Sequence, residues 1–264
     1  MFATVRDMAL ARPADDSFRE ELRAIAGRGQ AAVVPSSERV LPVLPALADL
    51  LPEGGLRRGS VVSVAGATSL ALALLAGPSA AGSWCAAVGL SSLGLVAAAE
   101  LGVALERFPL VAAPPPGRVG WATVVAAVLD AMDVVLTWPP PNVRSSDVHR
   151  LTARARERGA VLMVGFGGGG ARASPASWSE GIDVRLAVSR ARWDGLGQGH
   201  GRLAGRRVEV VANGRRSAGR ERRAWLWLPA VEGGVQLADV PPGFRRDSVR
   251  KADQSAPRTG SGGS

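Results

Sequence analysis

From Gly59 to Ala99 the chain carries no Asp, Glu, Lys or Arg. A run of that length with no charge is buried on all sides, in lipid or in a protein core. A membrane-spanning helix needs about 20 consecutive apolar residues. Gly66, Gly77, Pro78, Gly82, Ser83, Gly89 and Gly94 interrupt this run, so no window of it qualifies. An apolar strand, a buried helix and a second apolar strand fit instead, which is the composition of a parallel sheet covered on both faces.

The rest of the chain extends that alternation. Strands are expected at Val61 to Ala65, Trp84 to Leu90, Pro109 to Ala112, Asp133 to Trp138 and Ala160 to Phe166. Helices are expected at Ser69 to Ala76, Leu95 to Leu105, Trp121 to Ala131 and Ser146 to Arg158, the last with Ser145, Ser146 and Asp147 as cap candidates and Gly159 as its stop. Nearly uniform apolar strands separated by helices make an α/β domain from about residue 50 to 190. Ahead of it, residues 17 to 26 have the spacing of a short amphipathic helix, followed by a connector. Behind it, Gly167 to Ser177 reads as a flexible loop. IDVRLAVSRARW, RRVEVVANGRR and ERRAWLWLP then alternate like antiparallel strands, with Asn213-Gly214 as a turn signal. Residues 239–264 have the composition of a disordered tail.

Several chemistries are excluded by what is missing. The chain has one Lys (Lys251, in the tail), one Cys (Cys85), two His (His149, His200) and no Tyr. A buried Schiff-base lysine, a phosphate-gripping lysine and an all-protein Cys/His zinc site therefore have no source in the body of the chain. A single Cys forms no internal disulfide framework, so a cytoplasmic setting is expected, and the N-terminal sequence lacks the apolar core of a signal peptide. Cys85 reads as a small buried apolar residue, and both His as surface or structural residues. Asp133 reads as a solvated residue at the start of its strand.

The net charge of +9 is local. Between Arg185 and Arg223 eleven Arg stand against Asp194, Glu209 and Glu221. Arg190, Arg192, Arg202, Arg206, Arg207, Arg215, Arg216, Arg220, Arg222 and Arg223 are candidates for contact with DNA phosphates or with an acidic partner, since Arg serves both. Trp193, Trp225 and Trp227 are candidate partner anchors. Trp178 and Trp193 are candidates for base stacking, with core or interface packing the favoured reading. Trp225 and Trp227 fall on one face of their strand, with Leu226 and Leu228 on the other, which favours burial within the sheet.

VLPALADLLPEGGLRRGSVVSVAGATSLALALLA, with the later AAELGVALERFPLVAAP, AMDVVLTWPPP and RRVEVVANGRR, resembles a RecA-like ATPase core over about residues 40 to 216. More narrowly, the chain resembles the ImuA-type RecA-like proteins, in particular their divergent actinobacterial (mycobacterial) form, ImuA-prime. The resemblance implies a RecA-like domain over 40–238, with a mostly parallel sheet, helices on both faces and an antiparallel β extension, flanked by an N-terminal segment at 1–39. A working phosphate loop, G-x-x-x-x-G-K-[ST], wraps phosphates with backbone N–H groups, neutralises them with Lys and holds Mg²⁺ with Ser/Thr. Here the corresponding Gly66-Ala67-Thr68-Ser69 is roughly four residues short of that form and lacks the Lys. Thr68 and Ser69 fit the role of helix N-caps. The metal-binding Asp of the family falls at Thr137 and Trp138, and its water-activating Glu falls among Leu90 to Leu93. The expectation is a chain that is not an enzyme and takes no cofactor and no metal.

What the resemblance implies instead is an adaptor of damage-induced translesion synthesis (SOS mutagenesis), cytoplasmic and associated with the nucleoid during DNA damage. Its partner would be an ImuB-type Y-family polymerase homologue and, through it, an error-prone replicative-type polymerase and the sliding clamp. In RecA-like recombinases the loop at the Gly167 to Ser177 position lines the DNA channel, which makes Arg172 a candidate contact. The alternatives are a single-stranded DNA-binding module using the basic β-region, with or without homo-oligomer formation, and a degenerate nucleotide-responsive switch.

Overall fold

Val61, Val62 and Val64 are buried on alternating faces of one short strand, which is possible only if both faces of the sheet are covered. In the computed structural model, which describes residues 39–112, 120–166, 178, 181–196, 200–215, 219–241 and 243–244, that strand is β3 (Val61–Ala65). A small antiparallel pair, β1 (Val40–Pro42) and β2 (Gly55–Arg57), precedes it, with α1 (Pro45–Ala48) between them. After β3 come α2 (Thr68–Ala80), β4 (Cys85–Val88), α3 (Leu95–Glu100) and β5 (Leu110–Val111). Then follow α4 (Trp121–Leu129), β6 (Val134–Thr137), α5 (Ser145–Arg158) and β7 (Val161–Phe166). The later elements among the described residues are the strands β8 (Val184–Leu196), β9 (Gly201–Gly214), β10 (Arg222–Trp227) and β11 (Gln236–Leu237).

Among the described residues the main sheet has nine strands in the order β11-β10-β9-β8-β3-β7-β6-β4-β5. From β5 to β8 all neighbours are parallel, and from β8 outward they are antiparallel. This is the α/β architecture expected. One detail differs: β8 is antiparallel to β9 but parallel to β3, so the first strand of the extension is also the last strand of the parallel core.

On one face, Val62 and Val64 pack in a core with Leu70 and Leu74 of α2. On the other, Val61 packs with Val125 and Val128 of α4, Leu151 of α5, and Trp178. Helix α2 is buried over all of Leu70 to Ala76, so the middle of the uncharged run is a core helix between β3 and β4, while its end at Leu95 and Val96 is exposed; no described helix is long and apolar enough to cross a membrane. It also outlasts the expected stop at Ala76, continuing through Gly77 and Pro78. The N-terminal residues including the 17–26 helix, the 167–177 loop with Arg172, Arg216, and the 239–264 tail apart from 239–241 and 243–244 lie outside the described residues.

Two further expectations are corrected. Helix α3 ends at Glu100, where Gly102 at φ 97 lets the Val103 N–H return to Ala98, and a 3-10 turn at Leu105–Arg107 follows. The N-cap of α5 is Arg144, and no side chain caps it, so the Ser145–Asp147 cap is not formed. The C-cap is Gly159, left-handed at φ 66, as its position before a strand suggested.

Candidate functional site

Two residues, Gly66 and Ala67, connect β3 to α2. Gly66 has φ 86, its N–H donates to the Phe166 carbonyl at 3.2 Å, and a Cβ built on it would lie 3.1 Å from the Val188 carbonyl oxygen. The turn is therefore stitched to β7 and pressed against β8, and its first N–H is spent inside the sheet. Ala67 is the N-cap of α2, extended and without a side-chain cap. Thr68 and Ser69 occupy the first helical positions, half-buried, and neither caps the helix. A phosphate cradle needs a glycine loop of outward N–H groups and a lysine, and neither is present.

The end of β6 is rebuilt as core. Thr137 is fully buried; its hydroxyl donates to the Val88 carbonyl at 3.2 Å and accepts the Trp121 indole N–H at 3.0 Å. A hydroxyl bridging α4, β6 and β4 thus stands where the RecA-like resemblance implied a metal-binding carboxylate. Thr137→Val keeps the shape and leaves the indole N–H unpaired. It should cost about 1–3 kcal/mol, read as a lower urea midpoint with an unchanged slope. Next along, Trp138 lies against Gly165 of β7 so closely that a Cβ there would fall inside the indole ring. Leu90 to Leu93 supply no carboxylate, and Ser91 and Ser92 are exposed. The residues at this end of the sheet do not fit a magnesium nucleotide.

Asp133, at the other end of β6, is not simply solvated. It pairs with Arg58 at 2.7 Å, both side chains being 20% exposed, and accepts the Trp84 N–H at 2.9 Å. Cys85 is buried, and that burial, with the nearby Asp133 charge, pushes its thiol far above the ordinary range, which leaves it unreactive.

The basic β-region is more ordered than its sequence indicates. A bulge between Val188 and Arg190 shifts the phase of β8, so that Arg190 and Arg192 turn to the face opposite the core. Two cross-strand rows result: Arg190, Glu209 and Trp225, then Arg192, Arg207 and Trp227. Glu209 is buried and takes the Ser189 hydroxyl at 2.6 Å, with Arg190 and Arg223 each at 3.6 Å. Arg207 grips Asp194 with two hydrogen bonds of 2.7 and 2.8 Å, and Arg192 stands 3.9 Å from the same carboxylate. The bonds from Arg207 hold the Asp194 carboxyl below its ordinary range. Arg223 also pairs with Glu221 at 2.7 Å.

Aromatic rings interleave with these cations. Trp225 packs on Phe244 at 5.2 Å between centroids, Arg190 lies over Phe244 at 5.8 Å, and Arg207 lies over Trp227 at 4.9 Å. Leu226 and Leu228 are buried on the reverse face, as the alternation requires. Of the three candidate anchors, Trp225 is buried and Trp227 half-buried, while Trp193 is 46% exposed. Arg206 sits 5.9 Å from the Trp193 ring; burial lowers its guanidinium pKa, and its Nε has no hydrogen-bond partner among the described residues. Arg202, Arg215 and Arg220 are exposed and Arg222 is half-buried. Trp178 is fully buried, edge-on to Trp121 at 6.4 Å, and serves the core rather than a binding face. The ion-paired rows escaped the sequence reading, and the bulge is the reason: an unbroken period-2 pattern would set Arg190 against Val208, and the shift brings it opposite Glu209 instead.

Residues 49–167 match the MT3502 N-terminal domain family. The uncharacterized protein Rv3395c of Mycobacterium tuberculosis is 34% identical over 177 residues, covering 63% of this chain and 80% of that protein. The chain belongs to the Rv3395c family. The MT3502 N-terminal domain ends just past β7, so the match takes in the rebuilt ends of β3 and β6 and leaves the arginine–aromatic rows outside it. Among solved structures, the KaiC-like protein PH0186 from Pyrococcus horikoshii is similar, with TM-score 0.53 and 12% identity over 76% of this chain and 99% of that one. The family member described here therefore has a KaiC- and RecA-like fold.

Proposed function

We propose that this chain is a non-catalytic RecA-like adaptor of ImuA type, acting in a damage-induced translesion-synthesis assembly. The observation that carries the reading is the end of β6, where Thr137 bridges Trp121 and Val88 as a core group at the position for which the RecA-like resemblance implies a metal-binding Asp. A fold kept while its phosphate and metal positions are turned into packing acts through its surface. The direct partner is an ImuB-type polymerase homologue, with the error-prone polymerase and the sliding clamp reached through it. The docking element is the outer end of the β8–β9 hairpin, where Trp193 is exposed beside Arg206. Exposed Trp and Arg are the residue types that dominate interface energetics.

A second reading, single-stranded DNA binding, draws on the alternation of guanidinium groups and rings across β8, β9 and β10. Much of that charge is already met by Asp194 and Glu209, which favours the protein partner. The test is co-purification of the full chain with an ImuB-type homologue under reducing conditions. The expected result is a stable complex that Trp193→Ala combined with Arg206→Glu weakens by about a hundredfold, and no ATP hydrolysis by either component. Failure of the unmodified chain to bind, or ATP turnover abolished by substitution at Thr68, would defeat the proposal. A chain that binds an oligo-dT strand steeply with falling salt, and no ImuB homologue, would install the second reading in its place.

A further inference from the structure

At the end of the sheet opposite the β3–α2 turn, the residues around β2, the start of β8 and the last turn of α5 enclose a cavity of about 450 Å³. Four arginines line it, Arg57, Arg58, Arg156 and Arg215, against two carboxylates, Glu53 and Asp183. The two carboxylates offset part of this charge. Asp183 accepts the Val61 N–H at 2.9 Å, and Glu53 stands 4.0 Å from Arg57 on the exposed rim. Arg58 is held by Asp133 through Nη1, while its buried Nε has no hydrogen-bond partner among the described residues. Arg156 is exposed, in the last turn of α5. Leu51, Leu56 and Val62 form an apolar floor.

Guanidinium groups gathered over a low-dielectric floor create a positive potential that an anion relieves. Their planar forks match the oxygens of a phosphate in pairs. The volume lies within the roughly 300–1,000 Å³ of small-molecule sites. We propose that this cavity binds a phosphate group, carried by a small organic phosphate of nucleotide size or by a nucleic-acid backbone. The site is separate from the degenerate β3–α2 turn and does not depend on the adaptor reading.

The experiment is calorimetric titration of the full chain with pyrophosphate and with ADP in magnesium-free buffer, alongside Arg156→Glu, Arg57→Ala and Thr68→Val. Circular dichroism of each variant verifies its fold. Both probes should bind the unmodified chain, with affinity reduced at least about tenfold in Arg156→Glu, reduced in Arg57→Ala, and unchanged in Thr68→Val. An oligo-dT strand displaced by pyrophosphate would identify a nucleic-acid backbone as the source of the phosphate. ADP binding with no such displacement would identify a small organic phosphate. Absence of binding up to about 10 mM pyrophosphate overturns the proposal. So does affinity unchanged in both arginine variants, or affinity lost in Thr68→Val.

Discussion

Trp178→Ala is expected to remove about 3–5 kcal/mol of folding stability, the largest loss among the substitutions considered. Trp178 is fully buried and meets Trp121 edge-on at 81°, within the same core as Leu151 and Ile182. Truncation deletes the transfer energy of the indole and leaves a cavity whose walls belong to α4, α5 and the sheet. For a chain of this size the melting temperature should fall by about 10 °C, followed by circular dichroism. The same variant separates packing from binding. An indole that stacked on nucleic acid would, when removed, lower affinity and leave the melting temperature in place. Retention of the original melting temperature would refute the core assignment.

Gly77→Ala should destabilise by about 3 kcal/mol, the upper end of overpacking costs. The usual preference runs the other way, since Ala is better than Gly inside a helix by about 1 kcal/mol. What reverses the sign is the crossing of the chain after β1. A Cβ at Gly77 would lie 2.5 Å from the Val43 Cα and 2.6 Å from the Pro42 carbonyl oxygen, and both are backbone atoms. A side chain could swing aside, whereas here β1 must lift off α2. Urea unfolding of the variant that showed equal or greater stability would mean that the crossing is looser than described.

Gly77 also shows where the sequence stops being informative. Gly77-Pro78 has the composition of a helix stop, and nothing local reveals a second segment lying across it. Thr68, Ser69 and Ser145 fail as caps for a similar reason: cap propensity belongs to the residue type, but Ala67 and Arg144 hold the cap positions. Where burial decides the pattern, the reading was close. VVSVA is strand β3 residue for residue, and the missing lysine pointed to the turn where Gly66 is pinned to Phe166. The Arg58–Asp133 pair spans 75 residues and leaves no periodic trace. The basic region was located but not resolved, because counting charges cannot show that Asp194 and Glu209 are each shared by two arginines.

Strand β8 belongs to two arrangements, bonded in parallel to β3 and antiparallel to β9. No hinge can lie at such a seam, since bending there would break the ladder on one side. With nine described strands in one sheet, and neighbours about 4.8 Å apart, the edges at β5 and β11 stand roughly 40 Å from each other. The accumulated twist turns one edge by roughly half a revolution relative to the other. A molecule held at one edge is therefore kept at a set distance and bearing from a molecule held at the other, so the sheet acts as a gauge block between them.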